Sequence, residues 1–232
     1  LKEAIDQGCI VDTPLKILKE LRRVYSTVKS MNIFQILAIC GMMSPIVYTT
    51  MWIYCGRLQS DYSHIRNDIS SLFAVGAPNK QLSQSLMITS SVLLFVFFIG
   101  LHEGITDGGG SIVGPLLFLT SSGLGILVAF FFPLDAGGEL ITFRGKMHLV
   151  LVVASGILAI GGMVALWFRL HLAAGWSTFA VYSLISAIIS LILVIISAIF
   201  ITSNYKGLLE RLMVTPYQLY YVVLSLIVFL YN

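Results

Sequence analysis

Four side chains in this sequence have the types and spacing to do chemistry together: His64, Asp68, Asp135 and His148. Two imidazoles and two carboxylates make a donor set that a divalent metal such as zinc accepts, and a metal-bound water with a pKa of about 7 is a nucleophile at neutral pH. His64 and Asp68 stand four apart and would share a face if that stretch were helical. Asp135 follows the end of an apolar run, at the negative end of a helix dipole, where a carboxylate wants a cation or a shared proton. His148 opens the next run, at the positive end, which disfavours the imidazolium. A neutral ring is a competent general base or metal ligand. Asp135 and His148 are therefore the candidate catalytic pair, acting on a lipid ester or amide, and His64, Asp68, Asp135 and His148 the candidate metal set.

Plainer roles fit the same residues. Asp135 can pair with Arg144 or Lys146, His148 can cap a helix, and Asp68 can be an N-cap. Asn67, Asp68, Ser70, Asn79, Arg144, Glu210 and Arg211 form a candidate ligand-binding set for a lipid head group or a partner protein. Beyond the divalent metal the sequence asks for no cofactor. It contains no GxSxG, HExxH, P-loop or GxGxxG motif, and its three cysteines (Cys9, Cys40, Cys55) form no CxxC pair.

The elements that must position these residues follow from composition. Of 232 residues, 57% are hydrophobic and 11% charged, and mean hydropathy is +0.92. Soluble domains run at about 45–50% apolar and about 25% charged, so a soluble enzyme, a nucleic-acid binder and a disordered chain are excluded. Six runs are long and apolar enough to span a bilayer: Ile33–Cys55, Ser85–Glu103, Ser111–Phe132, His148–Leu170, Thr178–Thr202 and Val214–Tyr231. None alternates as barrel strands do, which leaves an all-α bundle of six transmembrane helices. Pro45 falls inside the first run and Pro216 in the first turn of the sixth. Ser121, Gly125 and Ala129, and Ser183 with Ala187, are spaced to let helices approach closely.

Residues 1–32 form a separate arm. Lys16, Lys19, Arg22 and Arg23 interleave with Leu15, Ile17, Leu18 and Leu21 after the helix start at Thr13-Pro14, which reads as a basic amphipathic helix on a membrane surface or facing a partner, and not as a signal peptide. The chain opens on Leu1, which leaves room for residues upstream. Six spans put both ends of the 33–232 domain on one side. Each side then carries seven Lys/Arg, and the arm beside the first run favours cytoplasmic termini. His102, Glu103, Asp107, Arg169 and His171 sit at helix ends on the face opposite the candidate site and read as snorkelling interfacial groups.

The polar segments also resemble a known family. Asn67-Asp68-Ile69-Ser70-Ser71-Leu72 leading into Gly76-Ala77-Pro78-Asn79 resembles the "SxxISxLGAxGAPN" element of the family called domain of unknown function 998. Phe132-Pro133-Leu134-Asp135, then Gly145 and His148, is similar to its "FPxD…GxxH" element, and Gly207-Leu208-Leu209-Glu210-Arg211 to its "GLxER" element. The resemblance runs over residues 33–231. Ser71 stands where that pattern more often has Glu. It implies a six-helix multi-pass protein of a prokaryotic plasma membrane, with no general activity assigned.

Two functions from different classes follow. In the first, the protein binds a membrane lipid, a protein partner or a second copy of itself through the polar face of its first, third and fifth loops. Charge is missing from the middle of every run, which favours this over ion-coupled transport. In the second, it is an interfacial hydrolase built on His64, Asp68, Asp135 and His148. Neither involves nucleic acid.

Overall fold

The computed structural model describes residues 31–232, together with Ile17 and Lys19. The amphipathic arm otherwise lies outside the described residues. Six long helices follow: α1 (Ile33–Arg57), α2 (Lys80–Ile99), α3 (Val113–Phe131), α4 (Phe143–Leu170), α5 (Ser177–Ile199) and α6 (Lys206–Tyr231). A single turn, Leu101–Gly104, continues α2, and 3-10 turns occur at Ser70–Phe73 and Ala136–Gly138. Among the described residues there is no strand. All six helices are long and apolar enough to cross a membrane. Each presents apolar side chains outward, such as Ile46, Val153, Ile157, Ile188 and Ile192. Such a belt would be an aggregation liability in water and is the expected surface in lipid.

Each helix packs on its neighbour in sequence, and α6 returns to α1, so the six form a closed ring. The centre is filled by aromatic rings. Phe98 stacks on Phe118 at 5.1 Å and Phe118 on Tyr220 at 5.7 Å. The ring is also held by reciprocal serine brackets. Ser44 Oγ donates to Ser90 O at 2.8 Å and Ser90 Oγ donates back to Ser44 O at 3.0 Å, joining α1 to α2. Ser121 and Ser155 repeat the arrangement between α3 and α4, at 2.9 and 3.0 Å. Each hydroxyl satisfies itself on a backbone carbonyl of the facing helix, which lets two helices approach without leaving an orphan polar group in lipid. The expected small-residue contacts hold at Ser121, Ala129, Ser183 and Ala187, all buried.

Two boundaries differ from those expected, and both matter for the site. α4 begins at Phe143, five residues before His148, because Thr142 accepts from Gly145 N and caps it. His148 thus lies in the second turn. α6 begins at Lys206, eight residues before Val214, so Glu210 and Arg211 are helical and Pro216 is interior. Charge hid this first stretch of α6 from a reading based on apolar runs, and contacts to the first loop hold it in the helix.

Candidate functional site

The loop between α1 and α2 folds back onto the start of α6. Arg211 is 7% exposed and reaches under this loop. Its Nη1 donates to the carbonyls of His64 (2.9 Å), Asn67 (3.0 Å) and Gly207 (2.7 Å). Its Nη2 donates to Tyr62 Oη at 2.5 Å and to His64 Nδ1 at 3.2 Å. The guanidinium also lies 5.0 Å from the Trp52 ring centroid. Glu210 accepts the Ile69 backbone N–H, and Leu208 N donates to Ile65 O at 3.0 Å. Gly207 makes this possible: a Cβ there would run into the backbone of Asn67. The NDISS and GLLER segments are thus two halves of one interlock.

The PLD and GxxH segments form a second interlock. Asp135 is buried. Its Oδ2 accepts from Ile141 N (2.9 Å) and Thr142 N (2.8 Å), and its Oδ1 from Thr142 Oγ1 (2.7 Å). A Cβ on Gly145 would collide with the Asp135 carboxylate. Asp135 therefore sits at the positive end of α4, and not, as expected, under the influence of the negative end of α3. The Thr142 hydroxyl bond, with the Thr142 and Ile141 amides, holds its pKa below the usual carboxylate value. The chain has turned between Phe132 and Thr142, so sequence adjacency to α3 misassigned the helix end that matters. A carboxylate whose pKa is depressed on folding stabilises above its unfolded pKa and loses that contribution as pH falls through the folded value. Asp135→Asn is thus expected to lower the midpoint of thermal unfolding in detergent above about pH 5, with the gap to wild type closing in acid.

His148 is buried, and its Nδ1 lies 2.7 Å from Phe132 O, the carbonyl that closes α3. A carbonyl only accepts, so Nδ1 carries the proton and Nε2 keeps its lone pair. His64 has the opposite tautomer: Arg211 donates to its Nδ1, and Gly56 packs against its Cε1 and Nε2. Burial, with Arg211 and Arg57 nearby, lowers the His64 pKa and keeps the ring neutral. The stretch from His64 to Asp68 is turn and not helix, and Asp68 accepts from Ser71 N at 3.1 Å. The His64–Asp68 pair and the four-residue metal set therefore do not assemble as expected. Among the described residues, no three His, Cys, Asp or Glu side chains are grouped to hold a metal ion. The reason is that Asp135 and His64 spend their donor atoms on the two interlocks.

Between the interlocks lies a cavity of about 340 Å³, in the wedge where α5 meets α4 and α6. Its polar end is Asp68, Ser70, His148, Lys206 and Glu210, and its wall is apolar, including Leu149, Val153, Val194 and Ile201. Lys206 Nζ is 3.7 Å from Asp68 Oδ2. Val153 is 49% exposed, so the apolar wall reaches the lipid-facing surface. Of the sequence candidates, this cavity gathers Asp68, Ser70, His148 and Glu210 and adds Lys206. Asn67 and Arg211 belong to the first interlock. Asn79 serves α2 through its carbonyl, which accepts from Ser83 N at 3.1 Å, and Arg144 is exposed on the first turn of α4.

The opposite end of the bundle holds a feature that sequence reading treated as snorkelling. Arg169 makes a bidentate pair with Asp107, Nε to Oδ2 at 2.6 Å and Nη2 to Oδ1 at 2.7 Å. Both side chains are almost fully buried, at 1% and 2% exposure. Arg169 also donates to Ser111 O at 3.0 Å and His102 O at 3.2 Å. The two residues lie 62 apart in sequence. The Gly108-Gly109-Gly110 run was the available signal: the amides of Gly109 and Gly110 donate to Asp107.

The interlocked segments are the ones whose motifs resembled a family, and the comparisons agree. No curated protein and no solved structure matches the chain. A family model described as "Protein of unknown function (DUF998)" matches residues 42–227, which include both interlocks and the cavity. This multi-pass, six-helix membrane protein belongs to the DUF998 family.

Proposed function

We propose that the protein binds a zwitterionic membrane lipid in the cavity between α4, α5 and α6. The carrying observation is the cavity's two-part lining. Lys206 beside Asp68 offers one cation and one carboxylate, a match for a phosphate and an ammonium on one head group. The apolar wall continues to the lipid-facing side, where an acyl chain would lie. The head group would thus enter laterally and never leave the interface. With the termini placed in the cytoplasm of a prokaryotic cell, as the basic arm favours, the cavity opens on the far leaflet.

A photoactivatable phosphatidylethanolamine in vesicles tests this reading. Labelling is expected on α4 and α5 near Val153 and Val194. It should be lost in Val153→Trp, which fills the wall, and weakened about tenfold in the Asp68→Asn/Glu210→Gln double variant. Labelling that is unchanged in Val153→Trp would overturn the reading.

A second reading rests on the His148 tautomer. The lone pair on Nε2, in a ring that lines the cavity, suits a general base acting on a lipid ester or amide. In that reading Asp135 is a positioning residue for α4. Release of acyl chain by wild type, lost in His148→Gln with photolabelling intact, would put this reading ahead.

A further inference from the structure

A second groove lies on the far side of Arg211, outside the lipid cavity. It runs between α1 and α6, has a volume of about 680 Å³, and is lined mostly by apolar side chains. Three observations distinguish it from an ordinary seam between helices. First, its mouth carries two cations. Arg57 is exposed at the end of α1, and Arg211 lines the same end from α6. Second, among the described residues no carboxylate lies within ion-pair distance of Arg211, since Glu210 turns to the Ile69 amide. Its Nη atoms are consumed by the first loop, but its buried Nε has no hydrogen-bond partner. Third, Gln218, two turns further along α6, also lines the groove, and its buried Oε1 has no partner. Buried polar atoms are normally paired, and a buried unpaired cation is costly. A buried cationic N–H without a partner on this groove calls for a ligand that supplies an anion.

The dimensions identify its class. From Arg57 to Pro45 the groove follows twelve residues of α1, about 18 Å at 1.5 Å per residue. One leaflet of a bilayer core is about 15 Å deep. The two arginines sit at the interfacial end, and the rest of the lining, Thr49 and Gln218 among apolar side chains such as Ile46, Leu219 and Val222, runs toward the centre.

We propose that this groove is a binding site for an anionic phospholipid. The phosphate lies between Arg57 and Arg211, and one acyl chain follows the seam of α1 and α6. The site differs from the cavity in its lining: two arginines and no carboxylate here, mixed charge there.

Native mass spectrometry of the delipidated full chain tests the proposal, titrated with phosphatidylglycerol and with phosphatidylcholine of the same acyl chains. One phosphatidylglycerol per chain is expected to bind at least about tenfold tighter than phosphatidylcholine. Arg57→Gln, at an exposed position that leaves the fold intact, should weaken it about fivefold, the equivalent of about 1 kcal/mol for one interfacial cation. Thr49→Trp, which fills the groove, should abolish it, and Val153→Trp in the other cavity should leave it unchanged. Equal binding of the two lipids, or full phosphatidylglycerol binding by Thr49→Trp, would overturn the proposal. So would displacement of phosphatidylglycerol by millimolar inorganic phosphate, which would mean a site for a bare anion.

Discussion

Asp107→Ala is expected to destabilise the protein by about 3–5 kcal/mol, one of the two largest losses available to a single substitution here. The loss comes less from the missing attraction than from what remains. Arg169 would keep its charge at 1% exposure with no anion beside it. The amides of Gly109 and Gly110 would lose their acceptor as well. The loop after the Leu101–Gly104 turn would lose its charged tie to the end of α4 and keep the Arg169 bonds to Ser111 O and His102 O. Denaturation in detergent, followed by tryptophan fluorescence, measures the effect. Replacing both partners separates its sources: Asp107→Leu with Arg169→Met should recover most of the stability, because no buried charge is left unpaired. The bond to Arg169 lowers the Asp107 pKa from 3.8 to about 2. A carboxylate depressed on folding gives its stabilisation above its unfolded pKa. The contribution of the pair should therefore be constant above about pH 4 and disappear as pH falls toward 2.

Arg211→Met is expected to release the first loop and cost at least about 3 kcal/mol. Methionine keeps much of the length and the apolar stem but donates nothing. The carbonyls of His64, Asn67 and Gly207 would lose their shared donor at once, as would Tyr62 Oη. Hydrogen exchange should rise sharply over residues 58–69 and little in α3. Binding at both proposed lipid sites should weaken together, since the loop carries Asp68 into one and Arg211 itself lines the other. Arg211→Lys separates charge from geometry. An ammonium keeps the charge but cannot address three carbonyls, a hydroxyl and a ring nitrogen from one planar fork. It should restore part of the anionic-lipid binding while leaving the loop mobile by exchange. Full protection of residues 58–69 in Arg211→Met would show that Gly207 packing and the Glu210–Ile69 bond hold the loop without the guanidinium.

Architecture was legible because lipid permits so few solutions. A run such as Ser177–Ile199 has no charge along its length, and a helix is the way for it to satisfy its own backbone in hydrocarbon. Of the candidate residues, Asp68, Ser70, His148 and Glu210 line one cavity. What failed was the assignment of partners. His64 and Asp68 are close in sequence and were paired on helical spacing, but the chain between them turns, and His64 goes to Arg211, 147 residues away. Asp135 was read against the helix that precedes it and belongs to the one that follows.

Sequence alone determined that the chain is a multi-pass membrane protein, with the number of its spans and their order. These depend on composition and on backbone hydrogen bonding, which act locally along the chain. Tertiary structure decided which polar atoms are spent and which are left for a ligand. Closure of the ring brings α6 against α1 and lays the first loop over Gly207. Only then are Asp135, His64 and most of Arg211 consumed by backbone groups. His148 and Lys206 remain on one cavity, and Arg211 lines another. Whether a side chain is structural or free depends on every donor and acceptor within about 3 Å of it, and that set is assembled from segments far apart in sequence.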